Sequence, residues 1–136
     1  QFFHQSWCEQ PQNLFWLMGN RITAILEETA RLHSAFSADQ IALVEKAVSL
    51  IAKALVNNRK IIWFGNGGSA TQSQHMAAEF VGRFQRERRS LPSISLTENM
   101  ASVTAIGNDY AFQQIFSRQL EGLAPPGDVA IGLSTS

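Results

Sequence analysis

His75 and Glu79 lie four residues apart in IIWFGNGGSATQSQHMAAEF, residues 61–80, a stretch that also carries a glycine cluster. On a helix that spacing places both side chains on one face. Such a pair can present two metal ligands on one side, or set a carboxylate base beside a substrate. Taken alone it is more often a modest surface ion pair. Its location favours chemistry, because the helix begins at a loop suited to an anion. Gly65, Gly67 and Gly68 let the backbone approach a ligand closely. The unpaired N–H groups and positive dipole end of the next helix suit phosphate. With Asn66, Ser69 completes the loop; its hydroxyl can reach a ligand, or cap the helix with Gln72 as return partner. The plainer alternative is a tight strand-to-helix turn that binds nothing.

Gly65, Gly67 and Ala70 also satisfy G-x-G-x-x-A, a weak dinucleotide fingerprint. That motif expects an acidic residue at the end of the second strand, about 20 residues on. Thr97 and Glu98 follow the second strand here, later than expected. A P-loop is disfavoured because no lysine follows the glycines. Ser134, Thr135 and Ser136 form a second hydroxyl-rich segment after a later strand, able to hold an anion opposite Ser69 or to make a polar turn. Asn108 and Asp109, in the polar stretch GNDY, can bond sugar hydroxyls, cap a helix or shape a turn. Arg83, Arg86, Arg88 and Arg89 read as a solvated helix end.

The elements that must position these groups alternate. Residues 1–12 read as irregular, and a helix is predicted from Asn13 to Phe36. A second helix starts at a capping box, Ser37 with Gln40, and ends at Asn57–Asn58. A strand follows at Ile61–Phe64, then a helix from the glycine loop to about Phe84. A strand at 92–96, a helix at 98–106, a loop at Gly107–Tyr110, a helix at Phe112–Leu123 and a strand at Val129–Leu133 complete the order. Strands alternating with helices indicate βαβ units and a parallel sheet covered on both faces.

The chain has 136 residues, 45% hydrophobic and 16% charged, in keeping with one soluble globular domain. Eleven basic residues balance eleven acidic ones, so nothing global points to nucleic acid or a membrane surface. Cys8 is the single cysteine, so no internal disulfide forms, and a reducing, cytoplasmic setting fits. The N-terminus lacks the basic start and apolar stretch of a signal peptide. The last strand, VAIGL, would expose apolar side chains and unpaired backbone if nothing followed it, so the chain reads as a C-terminally truncated domain.

GNGGSA, QHMAAEFVGRF, AIGNDYAFQQIFSRQLEGL and PGDVAIGLSTS, in that order, resemble the sugar isomerase (SIS) domain, and within it the bacterial phosphoheptose isomerases. The likeness runs from about Lys60 to Ser136, the two preceding helices suit the family's helical N-terminal region, and residues 1–12 show none. The domain is accordingly read as residues 13–136, helical over 13–59 with an α/β core over 60–136. The resemblance implies a flavodoxin-like three-layer αβα sandwich, with the last strands and a C-terminal helix outside this chain. It implies an aldose–ketose isomerase that converts sedoheptulose 7-phosphate to D-glycero-D-manno-heptose 7-phosphate for lipopolysaccharide, through an enediol(ate) and without a redox cofactor. By this likeness Glu79 is the base and a zinc ligand, and His75 a zinc ligand. Asn66, Gly67, Gly68, Asn108 and Asp109 line the substrate site, and Ser134, Thr135 and Ser136 hold the phosphate. A homotetramer with sites at subunit interfaces is implied as well. The family's further Gln and His come from the C-terminal helix, so the expectation is an inactive chain with low zinc affinity. Two other classes stay open: a noncatalytic SIS module that binds the replication initiator, and a dinucleotide-dependent oxidoreductase.

Overall fold

The computed structural model describes residues 11–135, with side chains from residue 19 onward. The irregular reading of residues 1–12 therefore lies mostly outside the described residues. Its last two residues are helical, because α1 runs Pro11–Ser34. Proline suits a first helical turn, where its missing N–H has no partner to lose. α2 runs Ala38–Val56. Its capping box is complete: the Gln40 N–H donates to Ser37 Oγ at 3.2 Å, and the Ser37 N–H donates to Gln40 Oε1 at 2.8 Å.

Two compact units divide the chain, residues 1–44 and 45–136. The boundary falls inside α2 rather than after it. The physical reason is packing: Ala54, with Ile51 and Leu55, joins a core made with Ile61, Trp63 and Ala77. In the first unit, Ile22, Ile25, Leu26 and Leu32 of α1 are all exposed.

The second unit is an α/β fold. After α2 come β1 (Ile61–Gly65), α3 (Gly68–Val81), β2 (Ser93–Ser95), α4 (Met100–Asp109), a 3₁₀ turn (Phe112–Gln114), α5 (Ser117–Leu123) and β3 (Val129–Leu133). The three strands are parallel in the order β2-β1-β3, with Ile61 level with Ser93 and Val129. A central parallel strand must be apolar on both faces. Ile61 and Ile62 are accordingly fully buried, each worth about 2–3 kcal/mol. Adjacent strand residues point to opposite faces. Trp63 packs on Phe80 of α3 with ring centroids 5.6 Å apart, and Phe64 on Phe116 at 5.0 Å. Helices thus cover both faces, giving three αβα layers.

Four local differences from the sequence reading have physical causes. α3 ends at Val81, not Phe84. The Arg88 guanidinium donates to the carbonyls of Glu79 at 2.6 Å, Phe80 at 2.9 Å and Gly82 at 3.2 Å, satisfying groups a longer helix would have bonded. α4 starts at Met100 because Asn99 caps it, Oδ1 accepting from the Ser102 N–H at 3.1 Å. It then continues through Gly107–Asp109, which the sequence suggested was a loop; Gly107 faces Ile115 there with room for close contact. The expected helix 112–123 breaks between the 3₁₀ turn and α5. That break buries Ile115 and brings Phe116 onto Phe64.

At the amino end of the sheet, Asp128 accepts from the Lys60 N–H at 3.0 Å and from its ammonium. Burial pushes the Asp128 carboxyl up, but the Lys60 hydrogen bonds and the Lys60 and Arg59 charges outweigh it and hold it below the usual range.

Candidate active site at the carboxyl edge of the sheet

β1 ends in Gly65, and that residue is glycine for steric reasons. A Cβ there would meet Ser69 Cβ at 2.7 Å and the carbonyl oxygens of Leu133 and Ser69 at 2.9 Å. Gly67 follows with φ 55° and ψ −125°, a backbone state that side chains disfavour. Gly67, not Ser69, is the N-cap of α3, and no side chain caps it. Of the two readings of Ser69, a ligand contact or a capping box with Gln72, the capping box is absent. Ser69 sits inside the first helical turn and is buried.

The turn consumes part of its own anion-binding capacity. The Ser69 N–H donates to Asn66 O and the Ala70 N–H to Gly67 O, both at 3.0 Å. Gly67 and Gly68 belong to this turn, but neither lines the cleft beside it.

A cleft of about 390 Å³ opens beside this loop, lined by Phe64, Gly65, Asn66, Ser69, Phe116, Gly132, Leu133, Ser134 and Thr135. The glycine loop and the hydroxyl segment after β3 thus share one cavity, at the carboxyl ends of neighbouring parallel strands. Ligands bind there in open α/β sheets. Ser136 lies outside the described residues.

His75 and Glu79 share one face of α3, with His75 Nε2 3.3 Å from Glu79 Oε1. His75 is largely exposed and Glu79 half-buried. His75 lines a second cleft, of about 290 Å³, with Trp63, Gln72, Met76 and Leu133. Leu133 borders both clefts, so His75 stands next to the phosphate-type cleft, while Glu79, one turn further along α3, lines neither. Among the described residues no third His, Cys, Asp or Glu joins the pair. Two donors make half of a zinc site, which needs three or four.

Asn108 and Asp109 lie on the exposed last turn of α4, Asn108 Nδ2 donating to Asp109 Oδ1 at 2.9 Å. They line neither cleft. The structure therefore unites Asn66, Gly65, Ser69, Ser134 and Thr135, sets His75 in the adjoining cleft, and leaves Gly67, Gly68, Glu79, Asn108 and Asp109 outside both linings. Sequence reasoning missed Phe64, Phe116 and Gln72 as lining residues. Gln72 was findable, since residues 72, 75, 76 and 79 recur at helical spacing on one face. Phe116 carried no local signal, because its contact with Phe64 spans 52 residues of chain (116 minus 64).

A family model described as the SIS domain matches residues 25–136. Among curated proteins, the phosphoheptose isomerase of Aquifex aeolicus is 48% identical over 119 residues, covering 88% of this chain and 62% of that protein. The phosphoheptose isomerase of Thermodesulfovibrio yellowstonii is 47% identical over 117 residues, covering 86% of the chain and 58% of its own length. The structure of phosphoheptose isomerase GmhA from Neisseria gonorrhoeae superposes with a TM-score of 0.79 at 37% identity, covering 88% of this chain and 61% of that one. That of a phosphoheptose isomerase from Francisella tularensis gives 0.80 at 30% identity, covering 86% and 61%. The chain thus spans about three fifths of the length of these relatives.

Proposed function

The chain belongs to the SIS domain family, and from that premise we propose that the protein carrying it is a phosphoheptose isomerase acting on sedoheptulose 7-phosphate. The product is D-glycero-D-manno-heptose 7-phosphate, a heptose precursor for lipopolysaccharide. The observation that carries this reading is the shared cleft of Asn66, Ser69, Ser134 and Thr135, with Glu79 on the helix that starts in it. The Ser134 and Thr135 hydroxyls bind the phosphate, with Ser69 across the same cleft. Binding that end of the sugar orients its carbonyl end, which turns proton abstraction into an intramolecular step. Glu79 removes the proton from the carbon beside the carbonyl and delivers a proton to the former carbonyl carbon, while the hydroxyl proton passes from one substrate oxygen to the other.

His75 and Glu79 would hold a zinc ion, which supplies electrostatic stabilisation of the enediolate when bound. The remaining donors must come from residues outside this set or from another subunit. The 136-residue chain alone is accordingly expected to show no turnover and weak zinc affinity. The exposed apolar stripe Ile22, Ile25, Leu26 and Leu32 supports self-association, in keeping with a homotetramer. Among the described residues no helix is long and apolar enough to cross a membrane; a cytoplasmic enzyme is the reading adopted.

The test is turnover of sedoheptulose 7-phosphate by the whole protein, alongside titration with NAD. Isomerisation without NAD binding is expected. NAD binding with no isomerisation would return the glycine loop to a dinucleotide role.

A further inference from the structure

α3 meets the sheet through a stripe of small residues: Ser69, Ser73 and Ala77 are buried against it. Small apolar contacts are non-directional, so they leave the roll of a helix weakly specified. Ser73 adds direction. Its Oγ is fully buried and lies 2.7 Å from Ser95 Oγ and 3.3 Å from Thr97 Oγ1. It donates to Ala70 O at 2.7 Å. The Thr97 N–H donates to Ser95 Oγ at 3.3 Å. The groups form one chain from Thr97 N–H through the Ser95 and Ser73 hydroxyls to the carbonyl of Ala70. Gln74 Nε2 braces it, donating to Thr97 O at 2.9 Å. Among the described residues no buried side-chain nitrogen or oxygen lacks a partner, so the network is complete. Complete buried networks specify geometry better than apolar contact does.

The two ends of that chain matter. One lies just after β2; the other is the carbonyl of Ala70, one residue past Ser69 in the candidate phosphate loop. A helix is rigid over two turns, so fixing residues 70, 73 and 74 also fixes the direction in which His75 and Glu79 project.

We propose that Ser73, Ser95 and Thr97 are positioning residues for the isomerase reaction, setting the roll of α3 so that Glu79 points at the carbon acid while Ser69 faces the phosphate. This rests on the isomerase reading above. The hydroxyl chain touches no substrate; it acts through α3.

The test uses the whole protein that carries this chain. Ser73→Ala is expected to lower kcat about 10- to 100-fold, with KM within about threefold, as a misaimed base would. Thr97→Val should act in the same direction and keeps the proposal testable if Ser73→Ala folds poorly; Thr97→Ser, which retains the hydroxyl, should restore the rate. In a Glu79→Gln background, Ser73→Ala should have no further effect on residual turnover, because no base is left to aim. A normal kcat in Ser73→Ala and Thr97→Val with only a lowered Tm would overturn the proposal. If the parent protein shows no turnover, the isomerase reading fails, and crystal structures of parent and Ser73→Ala decide the rest. A roll of α3 of about 10° or more relative to β1 and β2 supports the positioning role; a superimposable α3 overturns it.

Discussion

At the amino ends of β1 and β3, Asp128 grips the backbone and ammonium of Lys60 and is almost wholly withdrawn from water, its side chain 3% exposed. At the carboxyl ends the same two strands, still paired at Gly65 and Leu133, border a cleft where Asn66, Ser69, Ser134 and Thr135 meet Phe64 and Phe116. One end spends its polar groups on each other. The other brings hydroxyl and amide side chains to the wall of a cavity. Polar groups buried against each other set register and stability; those at the wall of a cleft can meet a ligand. Substitutions at the two ends should therefore separate cleanly into effects on chemistry and effects on stability.

The largest expected effect is at the carboxyl end. Glu79→Gln in the whole protein should lower isomerase turnover about 10³-fold or more while leaving substrate affinity within a few-fold, because shape is kept and the base is lost. Its unfolding free energy should change by less than about 1 kcal/mol, since the His75–Glu79 contact is a partly exposed pair. Steady-state kinetics, substrate titration and chemical denaturation together read this.

Asp128→Asn probes the opposite end. It leaves the half-buried Lys60 ammonium without its anion, and urea unfolding should show a loss of about 2–4 kcal/mol. Phosphate affinity at the far cleft should not move. The same substitution carries a pH signature. The Asp128 pKa is lowered on folding, so its stabilisation is complete above the unfolded carboxylate value, about 4. It is lost as pH falls from there through the folded value. Stability curves of parent and Asp128→Asn should thus converge as pH drops below about 4. Curves that stay parallel would show that the pair is not the source.

Gly65→Ala tests whether the glycine is steric. Its new methyl has contacts below 3.0 Å to Ser69 Cβ and two carbonyl oxygens, so unfolding should register about 1–3 kcal/mol of overpacking. The smallest effect is expected for Thr135→Ala, which removes one of several phosphate donors. Titration with inorganic phosphate should show a loss of affinity of about three- to tenfold with unchanged Tm. A larger fall in Tm than in affinity would move Thr135 from the ligand side of the comparison to the structural side.

Local signals in the sequence were read well. The Ser37–Gln40 capping box forms as expected, because all its atoms lie within one turn. The strand at Ile61 and the short strand at Ser93 stand where apolar runs meet polar punctuation. The fold class follows from the alternation of those elements. Misreadings came where tertiary contact overrode local preference. Gly107, Asn108 and Asp109 have turn-type chemistry but remain helical against Ile115. Ser69 has cap-type chemistry but is buried beside Gly65. Contacts that join distant residues were not legible at all: Lys60 with Asp128 across 68 positions, Ser73 with Ser95 and Thr97, and Phe64 with Phe116. The shared cleft of Ser69 and Thr135 was anticipated only because both segments follow parallel strands, whose carboxyl ends lie at one edge.

Solvent exchange is the most direct test of the central claim that Glu79 moves a carbon-bound proton on a sugar phosphate held by the two loops. Sedoheptulose 7-phosphate is incubated in D₂O with the whole protein carrying this chain, and deuterium at the carbon next to the carbonyl is followed by NMR. Incorporation is expected with the parent protein and should vanish in Glu79→Gln while substrate still binds. Incorporation at the parent rate in Glu79→Gln, or neither incorporation nor isomerised product in a parent protein that binds the substrate, would contradict the assignment.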